Sequence, residues 1–452
     1  MASRAVRYEH PLWYALRASG RSNGEFIRAL NRRGLGTTRT VLRRWLLGQC
    51  EPDHAGRAAI AAEFGVPAAV AEMMPWPEWL PTGEAAGLSE PWTPDGTLTA
   101  LDTLVRIAML DRRRFLITAG GGLAAAAAAW SVDPGAAAAA TGAVADVDSD
   151  AALIELHTAA LQRRDDTLGS GAGLLGIANA YLAHVLELLR HRSPTDGQTT
   201  RLQLAAADLC RLAGQVAIDD GRAAAGQQYL LVGRRAAATA ERADRHGALS
   251  ADAHLLVGLS SQATNAGDAA GGLATARQAL ALPPAALTPR LRSLAAGHAA
   301  RAHARLGDRR AAQELLAAEE RLAERGPSDG DPASLYYHDR SDVAGHAGYV
   351  WLHLRDWARA ERAFAEALAL KGDAYPRNRA VLQVRRGRAL LGAGHLDGAL
   401  DAGRAAVGLL GGVRSARSAG FLHDLVGEAG AAHPGDRRVA DFAEETRAVL
   451  AG

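Results

Sequence analysis

The feature that most constrains this chain is a tight turn that recurs five times between residues 220 and 395. Four of the five turns contain glycine, and four contain an adjacent aspartate. The anchor residues, spaced 46, 40, 48 and 39 positions apart, are Gly221, Gly267, Gly307, Arg355 and Gly394. Periods of this length are typical of stacked helix-turn-helix units, each of which buries its apolar face against its neighbours.

Small residues stand at fixed distances from these anchors. Of the fifteen positions that lie seven before, five after or twelve after an anchor, fourteen are Gly, Ala or Ser, and the exception is Glu319. Paired helices need small side chains where their backbones approach closely. Aromatic residues make up only 5% of the chain, and this composition favours closely packed helices over strands. The sequence therefore predicts an all-α fold.

The spacing of the small residues around a Gly-Asp turn resembles the tetratricopeptide repeat. The copy at residues 355–368, RDWARAERAFAEAL, resembles that repeat most. The periods exceed the usual length of roughly 34 residues, with extra residues at 283–289 and 327–332. HEAT-like helix pairs are the alternative interpretation. Either repeat implies an α-solenoid with one long concave face, which is the usual binding surface of such proteins.

In this register eight polar or aromatic residues fall on the concave face. Amide and basic groups there are suited to hold a peptide backbone or a carboxylate, so we expect a peptide, small-molecule or protein effector. The alternative is that these side chains are solvated or paired with one another. The candidate ligand-binding residues are Gln215, His254, Asn265, Arg301, Arg305, Tyr349, Arg385 and Arg388.

The N-terminal segment has a different charge from the rest of the chain. Residues 1–60 hold eleven arginines and four acidic residues, whereas the whole chain carries a formal net charge of only +2. A compact basic segment attached to a mildly acidic remainder indicates a polyanionic partner, and we favour nucleic acid over a membrane surface.

Short apolar clusters in this segment predict five helices between residues 10 and 75, the last of them after Pro67. Asn23 is a candidate N-cap for the second helix, and Thr37 or Thr38 for the third. Glycines at 34 and 36 separate these two helices, which is the helix-turn-helix arrangement.

The third helix is predicted to bury Leu42, Trp45 and Leu46 and to expose an arginine- and threonine-rich face. Arginine can contact guanine edges, and both residue types bind phosphate. The alternative is a solvated face without a ligand. The candidate DNA-binding residues are Thr37, Thr38, Arg39, Thr40, Arg43 and Arg44.

Residues 10–81, with RWLLG at 44–48 and WPEWLP at 76–81, resemble the head of actinobacterial XRE (Cro/C1-like) regulators that carry a tetratricopeptide sensor domain. The resemblance implies a cytoplasmic, homodimeric transcriptional regulator that binds double-stranded DNA. Two features depart from the family. Leu46 stands where an acid usually follows the tryptophan, and the second helix lacks the common glutamine. A protein-interaction scaffold without DNA binding is therefore the alternative.

We predict three segments: a helix-turn-helix domain at 1–81, a linker at 82–150 and the repeats at 151–452. Within the linker, DRRRFL and the uncharged run that ends at Val132 have the pattern of a twin-arginine export signal. Because 108 residues precede this pattern, we interpret it as a linker or a packed helix and expect no membrane association. Export or membrane anchoring is the alternative.

The sequence gives no signal for catalysis. It contains no HExxH, no GxSxG and no phosphate-binding loop, and the GAGLLG at 171–176 follows no predicted strand. The two cysteines, Cys50 and Cys210, form no CxxC, and the histidines lack metal-ligand spacing. We therefore expect no enzymatic activity, no metal and no cofactor.

Overall fold

The computed structural model describes residues 10–18, 22–64, 76, 77, 80, 90–105, 147–169, 172–413 and 415–450. The elements of regular structure within these residues are helices, which confirms the predicted all-α class. The chain forms two compact units, Met1–Ala143 and Val144–Gly452.

The first unit is built from short helices around one apolar core. Among the described residues, the helices that contribute to this core are α1 (Pro11–Ala18), α2 (Asn23–Arg32), α3 (Arg39–Leu46) and α4 (His54–Glu63). Residues 94–105, here α5, are also helical. Leu42, Trp45 and Leu46 of α3 are buried in this core, as the helical spacing predicted, together with Phe26 and Ile60. The expected fifth helix after Pro67 lies outside the described residues.

Side-chain hydrogen bonds fix both ends of α2, the second of them at the connection to α3. The N-cap of α2 is Ser22, not Asn23 as predicted, because Ser22 and Glu25 form a reciprocal capping box. At the other end the Asn31 amide donates to the Thr37 carbonyl over 3.1 Å and accepts from the Thr37 N–H over 2.6 Å. Thr38 then caps α3.

The second unit is a stack of helical hairpins. Consecutive helices from α8 to α17 pack pairwise along their lengths. The helices of this unit are α6 (Val147–Leu168), α7 (Ala172–His191), α8 (Asp196–Asp219), α9 (Ala223–Ala240), α10 (Arg245–Asn265), α11 (Ala269–Ala281), α12 (Pro289–Arg305), α13 (Arg309–Ala323), α14 (Arg340–His353), α15 (Trp357–Leu370), α16 (Pro376–Gly392), α17 (Leu396–Leu410), α18 (Ala416–Ala432) and α19 (Arg437–Leu450).

The predicted turns lie between the two helices of a hairpin. All five anchors adopt a left-handed backbone, with φ of 82° at Gly221, 98° at Gly267, 80° at Gly307, 58° at Arg355 and 82° at Gly394. Glycine adopts this conformation at little cost. In three turns the following aspartate caps the next helix through its side chain. The recurring Gly-Asp pair therefore ends one helix and starts the next, which confirms the helical-repeat architecture.

The small residues around the anchors allow the paired helices to approach each other. A Cβ atom added to Gly348 would lie 2.6 Å from the Phe364 ring, and one added to Gly226 would lie 2.7 Å from the Gly214 carbonyl oxygen. Glu319, the exception to the small-residue pattern, is completely buried.

The stack curves until its early helices meet its late ones. Arg377 in the first turn of α16 forms ion pairs with Asp165 at 2.9 Å, Asp166 at 3.0 Å and Asp219 at 2.7 Å, and Arg417 of α18 pairs with Asp219 at 2.6 Å. We call the first four of these residues the Arg377 cluster. Because α6 and α8 thus contact α16 and α18, the two ends of the stack meet, and the concave face forms a bounded pocket that is partly open to solvent.

A short connection also crosses toward α6. The extra residues at 327–332 lead into a 3₁₀ turn, Ala333–Tyr337, in which the Tyr336 hydroxyl donates a hydrogen bond to Asp166. Arg290 holds this turn by donating to the backbone carbonyls of Tyr336 and His338 over 2.9 and 2.8 Å.

In the part of the chain that the structure describes, no helix has the length and apolarity needed to span a bilayer. The uncharged run that ends at Val132 lies outside the described residues.

Candidate ligand-binding site

The concave face of the second unit encloses a cavity of about 200 Å³. Most of its wall comes from the first helix of successive hairpins, namely α8, α10, α12, α14, α16 and α18, and α6 and α9 contribute the rest together with the 3₁₀ turn and Lys371. Residues spaced by three or four positions share one face of a helix, and on α12 this spacing directs His298 and Arg301 to the cavity. On α16 it does so for Asn378, Leu382 and Arg385.

Five of the eight predicted ligand-binding residues line this cavity: Gln215, His254, Asn265, Arg301 and Arg385. The other three lie at its border. Tyr349 is buried with its ring against two arginines of the cavity, Arg305 is exposed, and Arg388 pairs with Glu428 over 2.9 Å. Ligand binding by these eight residues stays a prediction.

Arg301 and Arg385 meet on a single aromatic ring. Their guanidinium carbons lie 4.2 and 4.9 Å from the centroid of Tyr349. Arg301 is only 5% exposed, and the Asn265 side-chain oxygen accepts a hydrogen bond from it over 3.2 Å. Arg385 also contacts the ring of Phe421. We call Arg301, Tyr349 and Arg385 the arginine–tyrosine cluster.

Most other cations of the cavity have a carboxylate partner. Within the Arg377 cluster the aspartates pair with Arg377, and one of them, Asp219, also pairs with Arg417. Arg211 pairs with Asp208 at 2.8 Å, and Lys371 pairs with Asp339 at 3.4 Å. In contrast, Arg301 and Arg385 form no ion pair with any carboxylate in the described ranges. The cavity therefore has uncompensated positive charge at one side.

The electrostatic consequence appears in the pKa values of this cluster. Burial, and then the neighbouring cations Arg301, Arg417 and Arg388, lower the pKa of Arg385 to about 9. Burial alone would raise the pKa of Tyr349, but the nearby arginines outweigh that effect and lower it below 10.0. Both shifts have the direction expected where negative charge is missing.

A second polar network lies beneath this cluster. The Glu319 carboxyl is 2.6 Å from His346 Nδ1, and the Asp342 carboxylate is 3.0 Å from His338 Nδ1. Burial raises the pKa of Glu319 well above its usual value and lowers the pKa of His346 to about 3. Both shifts favour the uncharged forms of the two groups, because burial penalises charge on either of them. A Cβ atom at Gly297 would lie 2.3 Å from both groups, which explains the glycine there.

Several candidate functional residues of the cavity were not predicted from the sequence. Asp165 and Asp219 stand near the ends of α6 and α8, where acidic residues are ordinary, yet both are fully buried in the Arg377 cluster. Their partner lies more than 150 residues away in the chain, so no local pattern reveals it. Glu319 was visible as the one acid in a column of small residues.

In the first unit, α3 presents the predicted basic face. Arg39, Thr40, Arg43 and Arg44 are exposed, and none of these arginines forms an ion pair with a described carboxylate. Thr38 is exposed as the N-cap. The prediction for Thr37 is wrong, because this residue is only 5% exposed and its backbone is held by Asn31.

Comparisons with known proteins add little. No known family's sequence profile matches the chain, and no curated protein does either. Five chains of solved structures match, among them one in the crystal structure of the APC/C hetero-tetramer Cut9-Hcn1. That match has 16% identity over 96% of this chain and 89% of the other, with a TM-score of 0.30. At this score it bears on neither the function nor the site.

Proposed function

We propose that the second unit is a helical-repeat receptor whose central cavity binds a small molecule or the end of a peptide or protein partner. The proposal rests on the contact between the early and late helices of the stack, which bounds the concave face. An open solenoid offers an extended groove for a long peptide, whereas ion pairs across the stack leave a bounded polar cavity here.

The dimensions of the cavity limit the ligand. An apolar cavity of about 150 Å³ holds a molecule the size of benzene, so a volume of about 200 Å³ accommodates only a small ligand or one terminal group. Sites of this kind combine apolar walls with a few convergent polar groups. Leu230, Val257 and Phe421 supply the apolar part of this wall.

A blocked cavity tests the proposal. Ser261 lines the cavity, so the indole of Ser261→Trp fills the space. Ala448→Trp, at an exposed position of α19, is the matched control. Equilibrium dialysis of the full-length proteins against mixed metabolites and short peptides should retain a compound on the wild type and on Ala448→Trp only. Equal retention by all three proteins would exclude the cavity as the site.

We propose DNA binding by the first unit as a second function. The exposed face of α3, with Arg39, Arg43 and Arg44 free of carboxylate partners among the described residues, supports it. A DNA-binding unit joined to a receptor would make the protein a ligand-responsive transcriptional regulator, with a homodimer matching paired half-sites. Incubation of the full-length protein with sheared genomic DNA should enrich discrete fragments, and enrichment of none would leave the receptor function alone.

A further inference from the structure

We propose that the cavity binds its ligand through an oxyanion group, a carboxylate or a phosphate, held between Arg301 and Arg385. This inference rests on the proposed receptor function and specifies the chemistry of the ligand.

The first argument is the charge balance of the cavity. Buried charges are normally paired, because removing an ion from water is costly. The cations beside Asp165, Asp208 and Asp339 follow this rule. Arg301 and Arg385 are the exceptions among the described cavity cations, and the nearest group that they share is the face of Tyr349. The missing partner is one negative group.

The second argument is an unpartnered donor. Arg301 is 95% buried and its Nε has no hydrogen-bond partner, although Asn265 Oδ1 accepts from one terminal nitrogen and His298 Nδ1 lies 3.4 Å from the other. A guanidinium presents its donors as a planar fork that matches two oxygens of a carboxylate or phosphate. The ring of Tyr349 holds both side chains in place before any ligand binds, which lowers the entropic cost of binding.

The third argument concerns what the cavity excludes. The acidic side of the cavity is already neutralised, since Arg377 contacts Asp165, Asp166 and Asp219. The remaining carboxylate of the lining, Asp342, lies 3.0 Å from His338 Nδ1, so the described groups without an ionic partner on this wall are the cations Arg301 and Arg385. The volume of the cavity limits the part of the ligand that enters it to roughly ten non-hydrogen atoms.

The test uses full-length protein, with inorganic phosphate, benzoate and phenyl phosphate as anionic probes and benzylamine as the cationic control. Titration calorimetry in a phosphate-free buffer of low ionic strength should show binding of at least one anionic probe and none of benzylamine. Arg301→Gln and Arg385→Gln should each weaken that binding by at least tenfold. Arg310→Gln, at an exposed residue paired with Glu314 on α13, is the control and should leave it unchanged.

A further measurement separates ligand binding from a structural role. Without ligand, Arg301→Gln and Arg385→Gln should melt at the same temperature as the wild type or higher, since each removes one of two neighbouring positive charges. A lower melting temperature would assign these arginines to the fold, and this result would overturn the inference. If a variant fails to fold, Arg301→Lys takes its place, because it keeps the charge and loses the planar fork.

The probes also identify the oxyanion. Binding of inorganic phosphate and phenyl phosphate without benzoate would assign a phosphate ligand, and the converse would assign a carboxylate. Failure of all anionic probes, or equal binding by the glutamine variants, would overturn the inference. If a neutral compound is retained by the wild type, lost in Ser261→Trp and kept by Arg301→Gln, the receptor function stands and only the oxyanion site is excluded.

Discussion

Replacement of Arg377 by methionine tests the enclosure of the concave face. The guanidinium lies within 3.0 Å of three carboxylates, and the side chains of Asp165 and Asp219 are completely buried. Arg417 still neutralises Asp219 in the variant, so the substitution leaves Asp165 and Asp166 without their cation. Removing one member of a buried ion pair costs about 3–5 kcal/mol, because the remaining charge stays desolvated. We therefore expect Arg377→Met to lower the free energy of unfolding by about 3–5 kcal/mol at pH 7.5.

The pH dependence of this loss gives the refutation. In the variant, Asp165 and Asp166 stay buried beside each other without a cation, so uptake of a proton relieves both desolvation and repulsion, and the folded state gains stability relative to wild type as pH falls. The loss should shrink by about 1.4 kcal/mol per pH unit for each aspartate that takes up a proton. Urea unfolding followed by circular dichroism at pH 7.5 and 5.5 measures both quantities. Arg404→Met, which breaks an exposed pair with Glu445, should cost less than about 1 kcal/mol. The reasoning is refuted if the free energy of unfolding of Arg377→Met lies within 1 kcal/mol of the wild-type value at pH 7.5, or if the loss relative to wild type is larger at pH 5.5 than at pH 7.5.

Three further predictions use other parts of the molecule. Burial raises the pKa of Glu319 well above its value in the unfolded chain, so the free energy of unfolding of the wild type falls as pH rises beyond 4.5. Glu319→Gln cannot titrate, so urea unfolding should show the variant gaining stability relative to wild type as pH rises from 5 to 8.5. Trp45 is 6% exposed, and Trp45→Ala should destabilise the first unit by about 3–5 kcal/mol in thermal unfolding, whereas an unchanged transition would place Trp45 outside the core. If the Arg39 side chain contacts a base, Arg39→Ala should weaken binding of the full-length protein to an enriched DNA fragment by about 1–3 kcal/mol. An equal loss on random duplexes would indicate phosphate contact, and full affinity would exclude α3 as the recognition helix.

The helical hairpins were predictable because their signals are local. A left-handed turn needs glycine, and the aspartate that follows Gly267 or Gly307 caps the next helix within three residues. Once the turns are placed, helical spacing alone directs residues such as Arg301 and Arg385 to the concave side. The Ser22–Glu25 capping box is also a local signal, although the prediction placed the N-cap of α2 at the neighbouring Asn23.

The closure of the stack was not predictable from these signals. Each hairpin contributes a small rotation, and only the accumulated rotation brings α16 beside α6. Asp165 and Arg377 therefore meet across 212 residues of chain, without any local pattern to connect them. Thr37 is a local case, because the side chain of Asn31, six residues earlier, holds its backbone through two hydrogen bonds.

The central claim is that the enclosed cavity is a ligand site. A crystal structure of the full-length protein, grown without phosphate and soaked with benzoate or phenyl phosphate, tests it most directly. The account predicts one molecule in the cavity, with oxygen atoms within hydrogen-bond distance of both Arg301 and Arg385. An empty cavity in crystals that bind the same compound elsewhere would contradict it.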